Sequence, residues 1–295
     1  MENPHFKLIS NLYGFRLVIT SFVPLFISII ITSFFPNNLL GTVLAAILLG
    51  ITAYRVQFIL HEASHFTLFK PRFINDAVAN FTGSFIGFGI ENYRKVHQLH
   101  HLKHGHKDDP QFFDFYQLEH RPKFSFLLFL LQPLWASRLA PTLKRDILSH
   151  SKLSTSNTII FPSTQTISIA FIQLLILVFI TTQFYHPAKL YLAPSYYIGI
   201  FTISLFLARL RAIAEHQPFP NEPTNITRNH KPNLIDSLFL SDGYFCFHET
   251  HHSFPSVQSC HYPSIVYRDR DAYCFHPSML ITILRLNKSY STSNT

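Results

Sequence analysis

The sequence predicts an all-α integral membrane protein with four transmembrane helices and a cytoplasmic helical cap that holds a histidine-rich site for two metal ions. Three observations predict this: long apolar stretches, an uneven distribution of Lys and Arg, and three short histidine clusters. Of the 295 residues, 47% are hydrophobic and only 14% are charged, whereas typical soluble domains carry about 25% charged residues. Such a chain can bury far more apolar surface than a disordered one, so the disordered class is excluded.

Four apolar stretches are long enough to cross a bilayer, which takes about 20 residues at about 1.5 Å each. They lie at about 17–35, 39–60, 165–185 and 190–210. Two shorter apolar pieces, 77–90 and 124–135, are predicted to be interfacial or re-entrant helices. We expect residues 1–288 to form a single domain and the polar residues 289–295 to form a disordered tail.

The distribution of Lys and Arg predicts the orientation of these spans. Residues 61–158 contain twelve Lys and Arg and residues 209–295 contain eight, whereas the turns 36–38 and 186–189 contain none and one. Cytoplasmic segments carry the excess of basic residues. Both termini and the long middle segment are therefore predicted to be cytoplasmic in a multi-pass protein of a bacterial inner membrane or the endoplasmic reticulum. The basic residues form no long run, so a nucleic acid is not an expected partner.

Histidine is the most unusual feature of the composition, since 18 His exceed the 16 Asp and Glu combined. Eight of them form three clusters, HEASH, HQLHH and HETHH, which contribute His61, His65, His97, His100, His101, His248, His251 and His252. Spacings of three and four residues place imidazoles on one face of a helix. Imidazole is a ligand for iron, zinc, copper and nickel. Eight imidazoles exceed what one ion can use, so the clusters predict two metal ions.

The three clusters resemble the histidine boxes of the membrane fatty acid desaturase and hydroxylase superfamily. The similarity extends to YRKVHQLHH, to the DDP after the second box, to RAIAEH and to HETHHSFPSV, and it runs from the first box to about Pro263. It implies a four-span fold, two iron ions (Fe²⁺) held by the box histidines, and O₂ as co-substrate. It also implies that His216 of RAIAEH supplies an additional ligand, and it assigns catalysis to the metal ligands alone.

Several acidic residues lie beside these histidines in the sequence. A metal-ligating imidazole usually has its other N–H held by a neighbouring acceptor, and the residues expected to serve the site in this way are Glu62, Asp108, Asp109, Glu215 and Glu249. For His104 and His106 an orienting role and a surface position both remain open.

The resemblance implies an acyl chain of a fatty acid or lipid as substrate and desaturation as reaction. The chain has no His-Pro-Gly-Gly haem motif, and its three Cys form no CxxC pair and cannot build an iron–sulfur site. Electrons are therefore expected from a separate ferredoxin or small haem protein with its reductase. A candidate docking surface for an acidic donor consists of the basic residues near the second box, which could equally contact lipid headgroups: Arg94, Lys95, Lys103 and Lys107.

Other interpretations remain open at this stage. A hydroxylase or ketolase of the same superfamily, acting on a lipid, carotenoid or hydrocarbon, would use the same boxes. HEASH also matches the H-E-x-x-H motif of zinc peptidases, in which Glu62 would be the general base. A membrane metal transporter is disfavoured, because the clusters lie outside the predicted spans.

The topology can be tested with reporter fusions. We expect fusions after residues 37 and 188 to report the non-cytoplasmic side, and fusions near residues 110 and 290 to report the cytoplasm, because of the Lys and Arg asymmetry. A cytoplasmic signal at residue 188 would overturn the arrangement of the third and fourth spans.

Overall fold

The computed structural model describes residues 9–35, 38–111, 125–135, 171, 195, 198–220, 222–223, 226–268 and 275–292. The described part is mostly helical. Its α-helices, in chain order, are α1 (Asn11–Phe34), α2 (Leu39–Ser64), α3 (Arg72–Ser84), α4 (Ile90–Lys103), α5 (Ser125–Leu131), α6 (Leu205–His216), α7 (Leu234–Asp236), α8 (His248–Ser253), α9 (Tyr262–Arg268) and α10 (Met279–Thr292).

Shorter elements extend or connect these helices. A π-helical turn, Gly199–Ser204, leads into α6, and another, Ser237–Ser241, continues α7. One 3₁₀ turn, Gln132–Trp135, follows α5, and another, Ser259–His261, precedes α9. Two two-residue strands, β1 (Asn229–His230) and β2 (Phe275–His276), pair in parallel.

Helices α1 and α2 form an antiparallel pair that is long and apolar enough to cross a membrane. At about 1.5 Å per residue their lengths are about 36 and 39 Å. Each begins with a side-chain cap, since Ser10 and Asn38 accept hydrogen bonds from backbone N–H groups of the first turn. The predicted spans 17–35 and 39–60 fall on these two helices. The outer face of α1 is apolar and exposed, whereas most of α2 is buried.

The remaining apolar predictions are described only in part. Span 165–185 lies outside the described residues except for residue 171. Span 190–210 is described at residue 195 and from residue 198 onward, and it is helical there. The piece 77–90 corresponds to the end of α3 and a turn at Gly87, with α4 beginning at Ile90. The piece 124–135 contains α5 and its 3₁₀ extension. The membrane depth of these short helices remains a prediction.

Close backbone contact joins α2 to the helix that leads into α6. A Cβ atom added to Gly199 would lie 2.5 Å from the carbonyl oxygen of Ala46, and one added to Gly50 would lie 2.8 Å from the carbonyl oxygen of Gly199. Small residues allow this approach, as is common between helices in membranes. The contact brings the histidine at the end of α6 to the level of the histidines at the end of α2.

A buried ion pair fixes the segment after α7 against α2. Arg55, in the middle of α2, pairs with Asp242, and both side chains are almost fully buried. Tyr54 donates a hydrogen bond of 2.6 Å from Oη to the carbonyl oxygen of Leu240. Removing one partner of a buried ion pair leaves an uncompensated charge, at a cost of about 3–5 kcal/mol. The approach to the third histidine box is therefore held tightly.

The C-terminal helix corrects the prediction of a disordered tail for residues 289–292, and residues 293–295 lie outside the described residues. Helix α10 continues to Thr292. Tyr290 is buried, accepts a hydrogen bond from Gln217 Nε2 and donates one to the carbonyl oxygen of Pro218, both at 2.7 Å. Tyr290 anchors the last turns of the helix to the segment after α6. The polar composition of the tail does not indicate this contact, because it depends on one tyrosine.

The glycine contact between the helices gives a stability prediction. Gly199→Ala should lower the free energy of unfolding by about 1–3 kcal/mol, since the new methyl group meets backbone atoms that cannot move aside easily. Thermal unfolding of the detergent-solubilised protein measures this. Gly41→Ala is the matched control, because its methyl group would meet its nearest atom at an ordinary 3.4 Å. Equal destabilisation by the two substitutions would contradict the close packing at Gly199.

Candidate metal centre

The first histidine box lies where α2 ends. His61 is in the last turn and is buried, and His65 is the residue that caps the helix. The chain then turns sharply through Phe66, whose φ is +60°, and the backbone N–H of Thr67 returns to the carbonyl oxygen of Glu62. As expected from the sequence, the helix continues beyond the predicted span and carries the box at its end.

The second and third boxes lie on helices α4 and α8, and the helical repeat divides each box between two groups. In α4, His97 and His101 are four residues apart and lie together, whereas His100 belongs to the other group. In α8 the division is reversed, since His248 and His252 lie together and His251 faces the first group. Each box therefore contributes to both groups.

The first group consists of five imidazoles from three helices: His61, His65, His97, His101 and His251. Ring nitrogens of four of them lie within 4.8 Å of one another. The fifth, His101, has its Nε2 3.1 Å from Nε2 of His97 and 2.9 Å from Nε2 of His251.

The second group consists of four imidazoles, and it includes the residue outside the boxes: His100, His216, His248 and His252. His216 is the last residue of α6. Its Nε2 lies 2.8 Å from Nε2 of His248, which lies 3.1 Å from Nε2 of His252. The two groups adjoin, since the rings of His101 and His252 stack with centroids 4.3 Å apart.

The geometry of both groups fits metal ions. Metal–nitrogen bonds of about 2.0–2.1 Å separate neighbouring ligand nitrogens by about 3 Å. Four pairs of Nε2 atoms in the two groups lie 2.8–3.1 Å apart, which matches this separation. Among the described residues, three ring nitrogens of the first box have no hydrogen-bond partner: both nitrogens of the buried His61 and Nε2 of His65. A buried polar atom without a hydrogen-bond partner lowers the free energy of unfolding by about 1–3 kcal/mol. A bound ion would satisfy one nitrogen of each of these rings.

Burial keeps these imidazoles in the neutral form that binds metals. It lowers the pKa of His65 to about 4 and that of His101 to about 3, with further lowering by Arg94 for His65 and by the neighbouring histidines for His101. Burial likewise lowers the pKa of the more deeply buried His97 and His251 well below the ordinary value. At neutral pH no proton competes with a metal ion for these nitrogens.

One of the two aspartates after the second box contacts the site. Asp109 is buried, and both of its carboxylate oxygens lie 3.0 Å from Nδ1 of His100. Burial raises the pKa of Asp109, but hydrogen bonds from His100 and His104 outweigh it and lower the pKa overall. Asp108 is exposed and lies near His106 instead. Asp109 therefore orients His100 with its Nε2 available on the opposite side of the ring.

Glu215 and a tyrosine that the sequence analysis did not identify face two further histidines. Glu215 Oε2 lies 3.5 Å from Nδ1 of His248, and its other oxygen accepts a hydrogen bond of 2.7 Å from Arg211. Burial raises the pKa of Glu215 to about 7, although Arg211 opposes this. Tyr262 Oη lies 3.0 Å from Nδ1 of His251. No spacing in the sequence distinguishes this tyrosine, because it reaches the site only through the fold of the loop after α8.

The other two acidic residues do not contact the histidines of the boxes within the described part of the chain. Glu62 is buried and accepts a hydrogen bond of 2.9 Å from the Thr67 hydroxyl. Glu249 accepts one of 3.1 Å from Asn229 Nδ2. These carboxylates brace the turn after α2 and the start of α8 rather than orienting an imidazole directly.

The structure separates His104 from His106. His104 lies beside the second group, with its ring centroid 4.6 Å from that of His216 and its Nε2 2.9 Å from the carbonyl oxygen of Ile226. His106 is exposed. Among the candidate docking residues, Arg94 is engaged internally, since it binds Asp76 and the carbonyl oxygens of Ala63 and Ser64. The other basic residues of that surface are exposed: Lys95, Lys103 and Lys107.

A cavity of about 200 Å³ opens beside both groups. Its walls include histidines of each group together with residues of α2, α4 and α6, among them Tyr54, Gln57, Tyr93, Leu205 and Ala208. The cavity gives a small molecule direct access to the ring nitrogens of both groups.

The pairing of Asp109 with His100 gives a prediction about metal affinity. Asp109→Asn should weaken metal binding by about 10- to 100-fold, because the neutral amide holds the His100 ring less firmly. Anaerobic titration with Fe²⁺ measures this. Asp108→Asn, at the neighbouring exposed position, should bind as the wild type does. Unchanged affinity in Asp109→Asn would contradict the orienting role.

Comparison with known proteins agrees with the resemblance seen in the sequence. The family model described as fatty acid desaturase matches residues 37–280, which is well over half of the chain. The Delta(5) fatty acid desaturase fat-4 of Caenorhabditis elegans is 36% identical over 58 residues, a segment that covers 19% of this chain and 13% of that relative. The range matched by the family model includes all three histidine boxes and His216. The chain therefore belongs to the fatty acid desaturase family.

Proposed function

We propose that this protein is a membrane-bound di-iron oxidoreductase that uses O₂ and an external electron donor to desaturate the acyl chain of a fatty acid or lipid. The observation that carries the proposal is the convergence of nine imidazoles, six of them buried and three partly buried, into two adjoining groups. Membership of the fatty acid desaturase family supports the acyl substrate. Nitrogen-rich sites without sulfur ligands suit iron that reacts with oxygen.

Each iron would have its own set of ligands. His61, His65, His97, His101 and His251 would hold one, and His100, His216, His248 and His252 would hold the other. Two iron ions bound there would supply the chemistry that reduces O₂ and removes hydrogen from an unactivated C–H bond. Because the groups adjoin, a single substrate carbon can approach both.

The protein itself contributes position and environment. Asp109 and Tyr262 hold the Nδ1 side of His100 and His251, which leaves the Nε2 side for metal. Glu215 lies beside His248 and carries its charge next to Arg211, so the carboxylate is partly neutralised within the buried site. Burial of Asp109, Tyr262 and Glu215 limits the access of water to the histidines that they contact.

The cavity is the proposed acyl-binding space. It lies between α2, α4 and α6 and reaches His61 and His97 of one group and His100, His216 and His248 of the other. An acyl chain that enters this space would place a methylene group beside both metals. The depth of the cavity would then select the carbon atoms that lose hydrogen.

The remaining features of the proposal concern partners and location. The exposed Lys95, Lys103 and Lys107 lie on and after the helix of the second box and would suit an acidic ferredoxin or small haem protein. The protein would be multi-pass with both termini cytoplasmic. The zinc-peptidase interpretation of HEASH is less well supported, because it gives no role to the six imidazoles of the second and third boxes that surround it.

The metal content of matched histidine variants tests the ligand set. The wild-type protein should contain about two irons per chain, and His216→Ala should lose iron from the second group, because His216 Nε2 lies among its ring nitrogens. Elemental analysis of protein purified without oxygen measures this. The exposed His106 is the control, and His106→Ala should retain the wild-type iron content. Full iron content in His216→Ala would remove that residue from the ligand set.

Lipid analysis of a host that expresses the chain tests the reaction. Acyl chains with new double bonds should appear with the wild-type protein and not with His216→Ala. In reconstituted membranes the same products should require an added ferredoxin or small haem donor with its reductase. New hydroxyl groups or modified carotenoids would instead assign the protein to the hydroxylases or ketolases of the superfamily. Peptide cleavage without any lipid change would contradict the oxidoreductase proposal.

A further inference from the structure

An exposed apolar surface lies on two neighbouring segments near the C-terminus. Its residues belong to α7 with its π-helical continuation and to α10, and each exposes between 44% and 74% of its area: Leu234, Ile235, Leu238, Phe239, Leu280, Ile281 and Leu284. The two segments are joined where the backbone N–H of Met279 donates a hydrogen bond of 2.7 Å to Asp236 Oδ2. We call these seven residues the C-terminal apolar surface. A surface of this kind usually marks a contact with a protein or a membrane.

The contacts of residues 237–241 determine the depth of this surface along α2. Tyr54 donates a hydrogen bond to the carbonyl oxygen of Leu240, and Arg55 donates one to the carbonyl oxygen of Ser237. Tyr54 and Arg55 precede the end of α2 at Ser64 by about 14–15 Å at 1.5 Å per residue. Both also lie inside the predicted span 39–60. Residues 237–241 therefore lie beside the apolar part of α2.

The same arginine connects this segment to the outer face of α1. Arg55 donates a hydrogen bond of 3.3 Å to the Thr20 hydroxyl. The neighbours of Thr20 on the outer face of α1, Ile19 and Val23, are exposed by 63% and 43%. Residues 237–241 thus lie at the same level as side chains of α1 that would face lipid in a membrane-spanning hairpin.

The charge of α10 also favours a membrane. The helix contains no acidic residue, and the exposed Arg285 and Lys288 follow its exposed apolar residues Leu280, Ile281 and Leu284. An apolar face flanked by cationic side chains is typical of helices that lie in the interface of a bilayer with anionic lipids.

We propose that the C-terminal apolar surface inserts into the leaflet of the bilayer on the side of the histidine groups. The segment between β1 and the third box would then be membrane-embedded rather than part of a cap in water. The proposal rests on α1 and α2 spanning the bilayer. It implies that lipid contacts support the third box, since residues 237–241 lead through Asp242 directly to α8.

Tryptophan fluorescence provides the test, because the chain contains a single Trp, at position 135. In a Trp135→Phe background, Leu238→Trp and Leu284→Trp place one tryptophan at each half of the surface. Each full-length variant is reconstituted into vesicles of phosphatidylcholine and phosphatidylglycerol, with or without bromine on the acyl chains. We expect brominated lipid to quench both tryptophans and aqueous acrylamide to quench them weakly.

Two control positions make the result interpretable. Phe26→Trp lies on the exposed outer face of α1 and should be quenched by brominated lipid, whereas Lys231→Trp lies at the exposed polar approach to α7 and should be quenched by acrylamide. Quenching at position 26 together with acrylamide access at 238 and 284 would overturn the inference and leave the membrane-spanning hairpin intact. Acrylamide access at all four positions would overturn both the inference and the membrane-spanning hairpin of α1 and α2. Neither result depends on enzymatic activity, so the proposed reaction is tested separately.

Discussion

The structure depends on the need to bring nine imidazoles, most of them buried, into one small volume. Charged histidines would repel one another there, and neutral histidines without partners would leave ring nitrogens unsatisfied. Metal ions that bind one nitrogen of each imidazole would remove both costs, and the histidine groups are compatible with such ions. The ends of α2, α4 and α6 and the short α8 are positioned accordingly, because each supplies imidazoles to the same small volume.

Polar groups buried beside the helices hold those ends together. Arg55 and Asp242 tie the approach to the third box to the middle of α2. Gln258 acts on the other side, where its Nε2 donates a hydrogen bond of 2.7 Å to the carbonyl oxygen of Thr67 and its Oε1 accepts one of 2.8 Å from the N–H of Ser10. One amide thus joins the start of α1, the turn after the first box and the loop after the third. These contacts fix the positions of the boxes relative to one another and use no ring nitrogen of the histidines.

The division of the second and third boxes between two groups explains their spacing. Residues four apart on a helix point in nearly the same direction, while the residue three along from the first is turned toward the neighbouring group. His97 and His101 therefore serve one group and His100 the other, and α8 repeats the pattern with the groups exchanged. Two helices that each carry such a triplet can bind two adjacent metal ions between them. In this chain, one cavity reaches histidines of both groups.

The sequence by itself determined the class of the protein and most of the histidines in its site. Apolar length predicted helices α1 and α2, because the cost of burying a polar backbone in lipid leaves few alternatives. The spacing of the boxes predicted which histidines gather, because the helical repeat is a local property of the chain. The resemblance to a family then added His216, which no spacing could have distinguished.

Only the tertiary structure decided how those histidines are divided and held. The choice of Asp109 over Asp108, the separation of His104 from His106, and the contact of Tyr262 with His251 depend on side-chain directions set by turns and loops. The same is true of Tyr290, which makes the polar tail helical as far as Thr292. Composition and periodicity describe one segment at a time. Contacts between residues distant in the sequence arise only when the helices pack, and for that reason they could not be predicted from the sequence.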